Sequence, residues 1–357
     1  MTYAVESDIG AAKRESEGVN EDSVAVTPLS VTVRDTTHRI EIAVVADGAG
    51  GHEAGDVASY LTVSRVIRQL TSAFTTHHDD ADRSRGLQSQ MDNPFALTEE
   101  ECRSLIEAAI AAAHQDVLEY CVDNRAKAHT TAVVAVRVGD RLHYGWIGDS
   151  PAYVINREFD RIEKLTVDHS VVHEKLERGE IDETAALVDP QGNQLTRALG
   201  GSQYADPETD SVSVDTGSVP VYREDVVVVA SDGLVDAHAI GPRPKELYDA
   251  YQSADPGSTE HRKLATEIRE SSVTETDIKT TVTGVESLGA AADDLVELAN
   301  DYGGKDNISV ALLAADDVPS TPERLPDRSL GSVTDLSTAP TIIEAADEDG
   351  TEDSGDT

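Results

Sequence analysis

Short runs of Val, Ile and Ala that read as buried strands stop, again and again, on an aspartate at a turn. EIAVVA at 41–46 leads into Asp47 and Gly48, and DVVVVAS at 225–231 leads into Asp232 and Gly233. RLHYGWIG at 141–148 leads into Asp149, while NISVALL at 307–313 begins directly after Asp306. Asp22, ahead of the shorter run SVAV, is a fifth case. A carboxylate at the lip of a buried strand is costly to desolvate unless it is paired or bound to a cation. Few basic residues lie near these motifs, so the acids are expected to share metal.

The donor type narrows the metal. Oxygen ligands alone point to hard cations such as Mg2+ or Mn2+, and neither Cys nor paired His occurs at zinc spacing. Glycine beside an acid lets a backbone carbonyl approach an ion, which makes Gly48 a candidate ligand. Two cations sharing one carboxylate lie roughly 3.5–4 Å apart and can activate a water for in-line attack on phosphorus. One Asp-Gly alone is most often a turn; four or five acids at strand ends in a single chain weaken that explanation.

Other glycine-loop chemistry fails on the residues. GAGGHE at 48–53 lacks the Lys-Ser/Thr of a phosphate-binding loop, and as G-x-G-x-x-G it breaks at Glu53. No calcium loop of the D-x-D-x-D-G kind is present.

The formal net charge is −39, yet 39% of the residues are hydrophobic, which describes a globular chain with an acid-coated surface. Such a surface repels phosphate backbones and anionic lipid, so neither nucleic acid nor a membrane is an expected partner. Arginine outnumbers lysine, and a concentrated salt medium would screen the self-repulsion, as in a halophile's cytoplasm. Cys102 and Cys121 both fall in a helical pattern, so buried thiols in a reducing cytosol are expected. No run reaches membrane-spanning length and the N-terminus lacks a signal pattern, which predicts a cytoplasmic protein.

RLHYGWIG and AYVINR, on either side of GDSP at 148–151, look like a hairpin or meander. Apolar residues Leu105, Ile106, Ala109, Ile110, Ala113 and Val117 recur at helical spacing, opened by a Thr98/Glu101 capping box. Residues 54–70 and 290–302 read as further helices. Residues 71–96, which include HHDD at 77–80, and about 239–288 are polar and weakly periodic and read as insertions. One domain over 1–315 would then be followed by a disordered acidic tail at 316–357.

Taken in order, NED, DGAGGHEAGDVAS, HTTAVVAV, GDSPAYV, LTVDHS, NQLTRALG, SDG and GGKDNISV resemble the metal-dependent protein phosphatase (PPM) family, the type 2C serine/threonine phosphatases of bacterial and archaeal type. No single motif decides this, but eight in sequence are specific. The resemblance implies an α+β fold: a four-layer αββα sandwich of two antiparallel sheets flanked by helices, with a binuclear Mn2+ or Mg2+ centre in a cleft at one end. Asp47 then corresponds to the carboxylate bridging both ions and Gly48 to the carbonyl ligand. Asp232 and Asp306 match the remaining carboxylates of one ion. Glu21 and Asp22 match the acidic pair serving the other, and Asp149 the ligand of a third, weaker metal. Asn307 matches the residue that orients the last ligand. The implied reaction is attack of metal-activated water on phosphoserine or phosphothreonine without a phosphoenzyme, reversing a Ser/Thr kinase system.

Three departures bear on activity. Lys13, followed by Arg14, stands where the family has the Arg that binds substrate phosphate. Ala49 replaces the His of animal-type members, leaving His52 as the candidate general acid. GDSP replaces GDSR, and His129 replaces a Gly. The weakened Arg position and Pro151 support the alternative of a noncatalytic, metal-binding regulatory pseudophosphatase.

Overall fold

Alternation along the central strands sorts their side chains into two different cores. The computed structural model describes residues 2–33, 35–49, 54–80, 97–235 and 244–328. Strands Tyr3–Asp8 (β1), Ile308–Ala314 (β13), Asp225–Ala230 (β12), Ala152–Asn156 (β8) and Arg161–Lys164 (β9) form one antiparallel sheet in the order β1-β13-β12-β8-β9. Asp215–Pro220 (β11), Arg141–Ile147 (β7), Ala132–Val138 (β6), Thr36–Ala46 (β3) and Ser23–Val33 (β2) form the second, in the order β11-β7-β6-β3-β2. Leu199–Ser202 (β10), Lys127–Thr130 (β5) and Gly48–Ala49 (β4) make a small third sheet.

Val227 and Val229 of β12 and Ala311 and Leu313 of β13 meet Ala43 and Val45 of β3 and Val133 and Ala135 of β6 between the two large sheets. Their neighbours point outward. Val226, Val228, Val310 and Leu312 pack under helices Glu275–Gly284 (α8) and Leu288–Asp301 (α9). Ile40, Ile42, Val134 and Val136 pack under Gly55–Asp80 (α2) and Glu99–Asn124 (α3). Helices cover both outer faces, so these antiparallel strands are apolar on both sides and read as unbroken runs. The four-layer αββα sandwich expected from the motifs is the fold observed.

Several local expectations change. β7 and β8 do not pair: β7 lies between β6 and β11, β8 between β12 and β9, and the GDSP turn carries the chain from one sheet to the other. Helix α2 runs ten residues beyond its expected end at 70, because Val63, Val66, Leu70 and Phe74 continue one buried stripe. The side chains of His77 to Asp80 and all of 81–96 lie outside the described residues. Within the polar region 239–288 the chain folds into Pro244–Ser253 (α6), Thr259–Glu270 (α7) and α8. Residues 316–328, expected as the start of the tail, pack on the sandwich. Val318 and Arg328 are buried, and Arg328 pairs with Asp225 at 2.8 Å; the rest of the tail lies outside the described residues. Cys102 and Cys121 are buried free thiols in α3. No described helix is long and apolar enough to cross a membrane.

Candidate active site

Two neighbouring strands of each large sheet deliver acids to the same end of the sandwich. Asp22 precedes β2 and Asp47 follows β3; Asp232 follows β12 and Asp306 lies just ahead of β13. A hydrogen bond across the sheets fixes their convergence, the Ser231 hydroxyl donating to Asp22 Oδ2 at 2.7 Å. Ser231 Oγ in turn accepts the Ser309 N–H at 3.0 Å. Gly233 makes this packing possible, since a Cβ there would lie 2.0 Å from the Asn307 carbonyl oxygen.

Electrostatics show how close the acids are. Burial pushes the Asp22 carboxyl up to about 7 against the hydroxyls of Ser231 and Ser309, and the charges of Asp232 and Asp306 add to the push. Asp47 is held well above the usual carboxylate range by burial and by the charges of Asp232, Asp22 and Asp306. It shares a hydrogen bond with Asp232, whose own acidity is also weakened, by burial first. Burial likewise raises Glu21, with Lys13 opposing.

Three buried carboxylate oxygens, Glu21 Oε1, Asp22 Oδ1 and Asp232 Oδ1, have no hydrogen-bond partner. Buried polar atoms are nearly always satisfied, so orphaned oxygens on converging acids suit a hard cation in donor type. The oxygens do not close into a cage, however: among the described residues no group of three or more His, Cys, Asp or Glu is placed to hold a metal ion. An ammonium sits among them instead. Lys13, on Ala11–Glu15 (α1), donates to Asp306 Oδ1 at 2.8 Å and Asn307 Oδ1 at 3.0 Å and lies 3.6 Å from Glu21 Oε2. Burial works against its charge, but Asp306, Glu21 and Asp47 outweigh it and raise the pKa.

The remaining candidates divide. Arg14 turns away, its Nη2 2.5 Å from Asp8 Oδ2 with more than half the side chain exposed. His52 lies outside the described residues. Asp149 occupies the turn after β7, next to Ser150, whose Oγ is 2.6 Å from Thr131 Oγ1. Thr131 Oγ1 accepts the Asp47 N–H at 3.0 Å, so that turn and Asp47 are tied through one hydroxyl pair. Gly48 is pressed into backbone: a Cβ would stand 2.1 Å from the Gly55 carbonyl oxygen and 2.7 Å from that of Glu21.

Asn307 does more than flank the last acid. Its Nδ2 donates to the Ile9 and Val19 carbonyls at 3.0 and 3.1 Å, and its Oδ1 accepts the Glu21 N–H at 2.7 Å. The sequence reading missed Ser231, Thr131 and Ser150. Only their position, polar and adjacent to an apolar run or an acid, signals them. His169 is structural: Nδ1 accepts the Gly148 N–H at 3.1 Å, leaving Nε2–H to donate to Asp215 at 2.9 Å. Trp146 is core, buried between the sheets.

An αββα sandwich with acids of both sheets meeting at one end defines the class, and comparison with known proteins gives the family. Residues 9–276 match the family model described as protein phosphatase 2C, and the chain belongs to that family. It is 30% identical over 275 residues to the serine/threonine phosphatase stp of Listeria welshimeri, covering 76% of this chain and 83% of that one. Protein phosphatase PhpP of Streptococcus pneumoniae is 26% identical over 273 residues, covering 76% and 84%. Among solved structures, the serine/threonine phosphatase PstP/Ppp of Mycobacterium tuberculosis superposes with a TM-score of 0.58 at 22% identity over 89% of this chain and 98% of that one. The PstP catalytic domain in complex with two manganese ions superposes at 0.53, with 21% identity over 87% and 96%. These two likenesses share the fold.

Proposed function

We propose that this chain is a Mn2+- or Mg2+-dependent protein serine/threonine phosphatase hydrolysing phosphoserine and phosphothreonine. One observation carries the reading: partnerless buried oxygens on Glu21, Asp22 and Asp232 gathered beside Asp47 and Asp306, in a chain of the protein phosphatase 2C family. The Listeria welshimeri relative is named a serine/threonine phosphatase, and one structural neighbour holds two manganese ions.

In this reading Asp47 and the Gly48 carbonyl would help hold two cations. Asp232 and Asp306 would supply the remaining carboxylates for one ion, Glu21 and Asp22 would serve the other, and Asp149 would serve a third. Cations held there would acidify water and neutralise charge on the phosphoryl group. The chain's own part is positional. Thr131 holds the Asp47 backbone, Ser231 orients Asp22, and Asn307 holds both Glu21 and Lys13. Lys13 is the phosphate-binding cation, a point charge without the fork of an arginine; Arg14 is committed to Asp8. His52 is the proposed proton donor to the leaving serine or threonine oxygen. The setting is a salt-rich cytosol, with phosphoproteins made by a Ser/Thr kinase as substrates and neither nucleic acid nor membrane as partner.

Turnover of p-nitrophenyl phosphate with Mn2+ and with chelator tests the reading. Asp47→Asn and Asp232→Asn should each lower metal-dependent turnover at least about a hundredfold with the fold intact, a rise of about 2.7 kcal/mol in barrier height. Wild-type protein without metal-dependent release would instead be the noncatalytic regulator.

A further inference from the structure

Between β9 and β10 the chain leaves the sandwich and returns. The neck of this excursion, residues 171–194, is closed by the Val171 N–H donating to the Gln194 carbonyl at 2.9 Å and the Thr196 N–H to the His169 carbonyl at 2.8 Å. His169 fixes the neck to the acid end: its N–H donates to the Gly148 carbonyl at 3.0 Å, one residue before Asp149. The excursion therefore rises as a wall from the turn that carries Asp149, at the acid end of the sandwich. It is braced internally, for Lys175 Nζ donates to both oxygens of Asp189 at 2.9 and 2.8 Å.

The far end of the wall docks on α6 and α7. Ala185 and Val188 of the excursion pack with Leu247, Tyr251, Ala265 and Ile268 in an apolar cluster separate from the sandwich cores. Two polar bonds pin the joint. The Tyr251 hydroxyl donates to Asp182 Oδ2 at 2.8 Å, and Arg269 Nη2 donates to Thr184 Oγ1 at 2.8 Å. Asp182 Oδ1 meanwhile accepts the Thr184 and Ala185 N–H groups at 3.0 and 2.9 Å, so the bond to Tyr251 reaches the wall's own helix cap.

We propose that α6 and α7 anchor this wall and thereby determine how tightly a phosphoprotein binds, taking no part in hydrolysis. This rests on the phosphatase reading above. A polypeptide flanking the phosphorylated residue must lie along whatever borders the acids, and a wall fixed in advance removes the ordering cost of binding. A small phosphate ester reaches the acids without touching the wall. The joint residues are thus positioning and specificity-determining residues acting at a distance.

The test compares Tyr251→Phe, Arg269→Met and the double variant with wild type. Each is assayed with Mn2+ on a phosphothreonine peptide and on p-nitrophenyl phosphate, and amide hydrogen exchange is followed in residues 171–194. Tyr251→Phe keeps the ring in its cluster and removes only the hydrogen bond. Expected is a roughly fivefold rise in peptide KM for each single variant, the size of one lost hydrogen bond, with kcat and KM for the ester unchanged and exchange faster in 171–194. Faster exchange with unchanged peptide KM would overturn the proposal, as would equal losses on both substrates or exchange that does not move. Wild-type protein that hydrolyses neither substrate would refute the phosphatase reading itself, whereas the exchange data judge the anchor independently.

Discussion

Asn307 sits one residue past Asp306, and its whole side-chain capacity is used inside the site, on the carbonyls of Ile9 and Val19, the N–H of Glu21 and the ammonium of Lys13. An asparagine beside the last acid is visible in the string of letters; that it stitches the N-terminal segment to β13 is not, because those partners are close to three hundred positions away. The acids themselves were legible, since a carboxylate ending an apolar run is a local pattern with a desolvation cost attached. Their charge state makes a prediction. Asp22 is ordinarily half-protonated at 3.8 and in the fold at about 7. Between those values the folded chain holds a proton that the unfolded chain lacks, so stability falls as pH rises through that window. The melting temperature of chelator-treated protein is expected to drop from about pH 4 to 7, and Asp22→Asn to flatten that slope; Mn2+ should restore stability at the upper end by binding the deprotonated acids. An unaltered slope in the variant would refute the assignment of the proton to Asp22.

Helix α2 shows where local signals suffice and where they fail. Its stripe at Val63, Val66, Leu70 and Phe74 was readable to its end, yet the polar residues from 71 onward disguised the last turns as loop. Pairing is harder than element type: β7 and β8 look like a hairpin or meander because the GDSP turn is short, but each forms its hairpin with its other sequence neighbour, β7 with β6 and β8 with β9, in different sheets. The start of α2 packs closely on β4, where the Gly48 backbone lies against the Gly55 carbonyl and the Glu21 carbonyl. Gly48→Ala forces that contact apart and is expected to cost about 1–3 kcal/mol of stability, as overpacked sites do. Denaturant unfolding measures it; a variant as stable as wild type would mean that the helix start yields freely.

The sandwich is closed differently at its two ends. Opposite the acids, the segment after β13 crosses the ends of inner strands β12, β6 and β3. Arg328 is buried against Asp225 and lies over the Tyr222 ring, while Asp317 reaches the buried Arg137–Glu41 pair. Composition alone hid this, because residues 316–328 share the polar, acidic character of the tail that follows; an arginine in an acidic stretch gives no hint that it is buried. Arg328→Met strands the Asp225 carboxylate and is expected to cost about 3–5 kcal/mol, whereas pairing it with Asp225→Asn should recover part of that loss. Calorimetry of both variants decides, and a single variant as stable as wild type would refute the buried pair. At the other end, two acids come from each large sheet, so a cation held among them would act as a rivet through both leaves of the sandwich. Loading the centre would then stiffen the seam between the sheets along its length, and substitutions that let the leaves slide should weaken cation affinity without touching a single ligand.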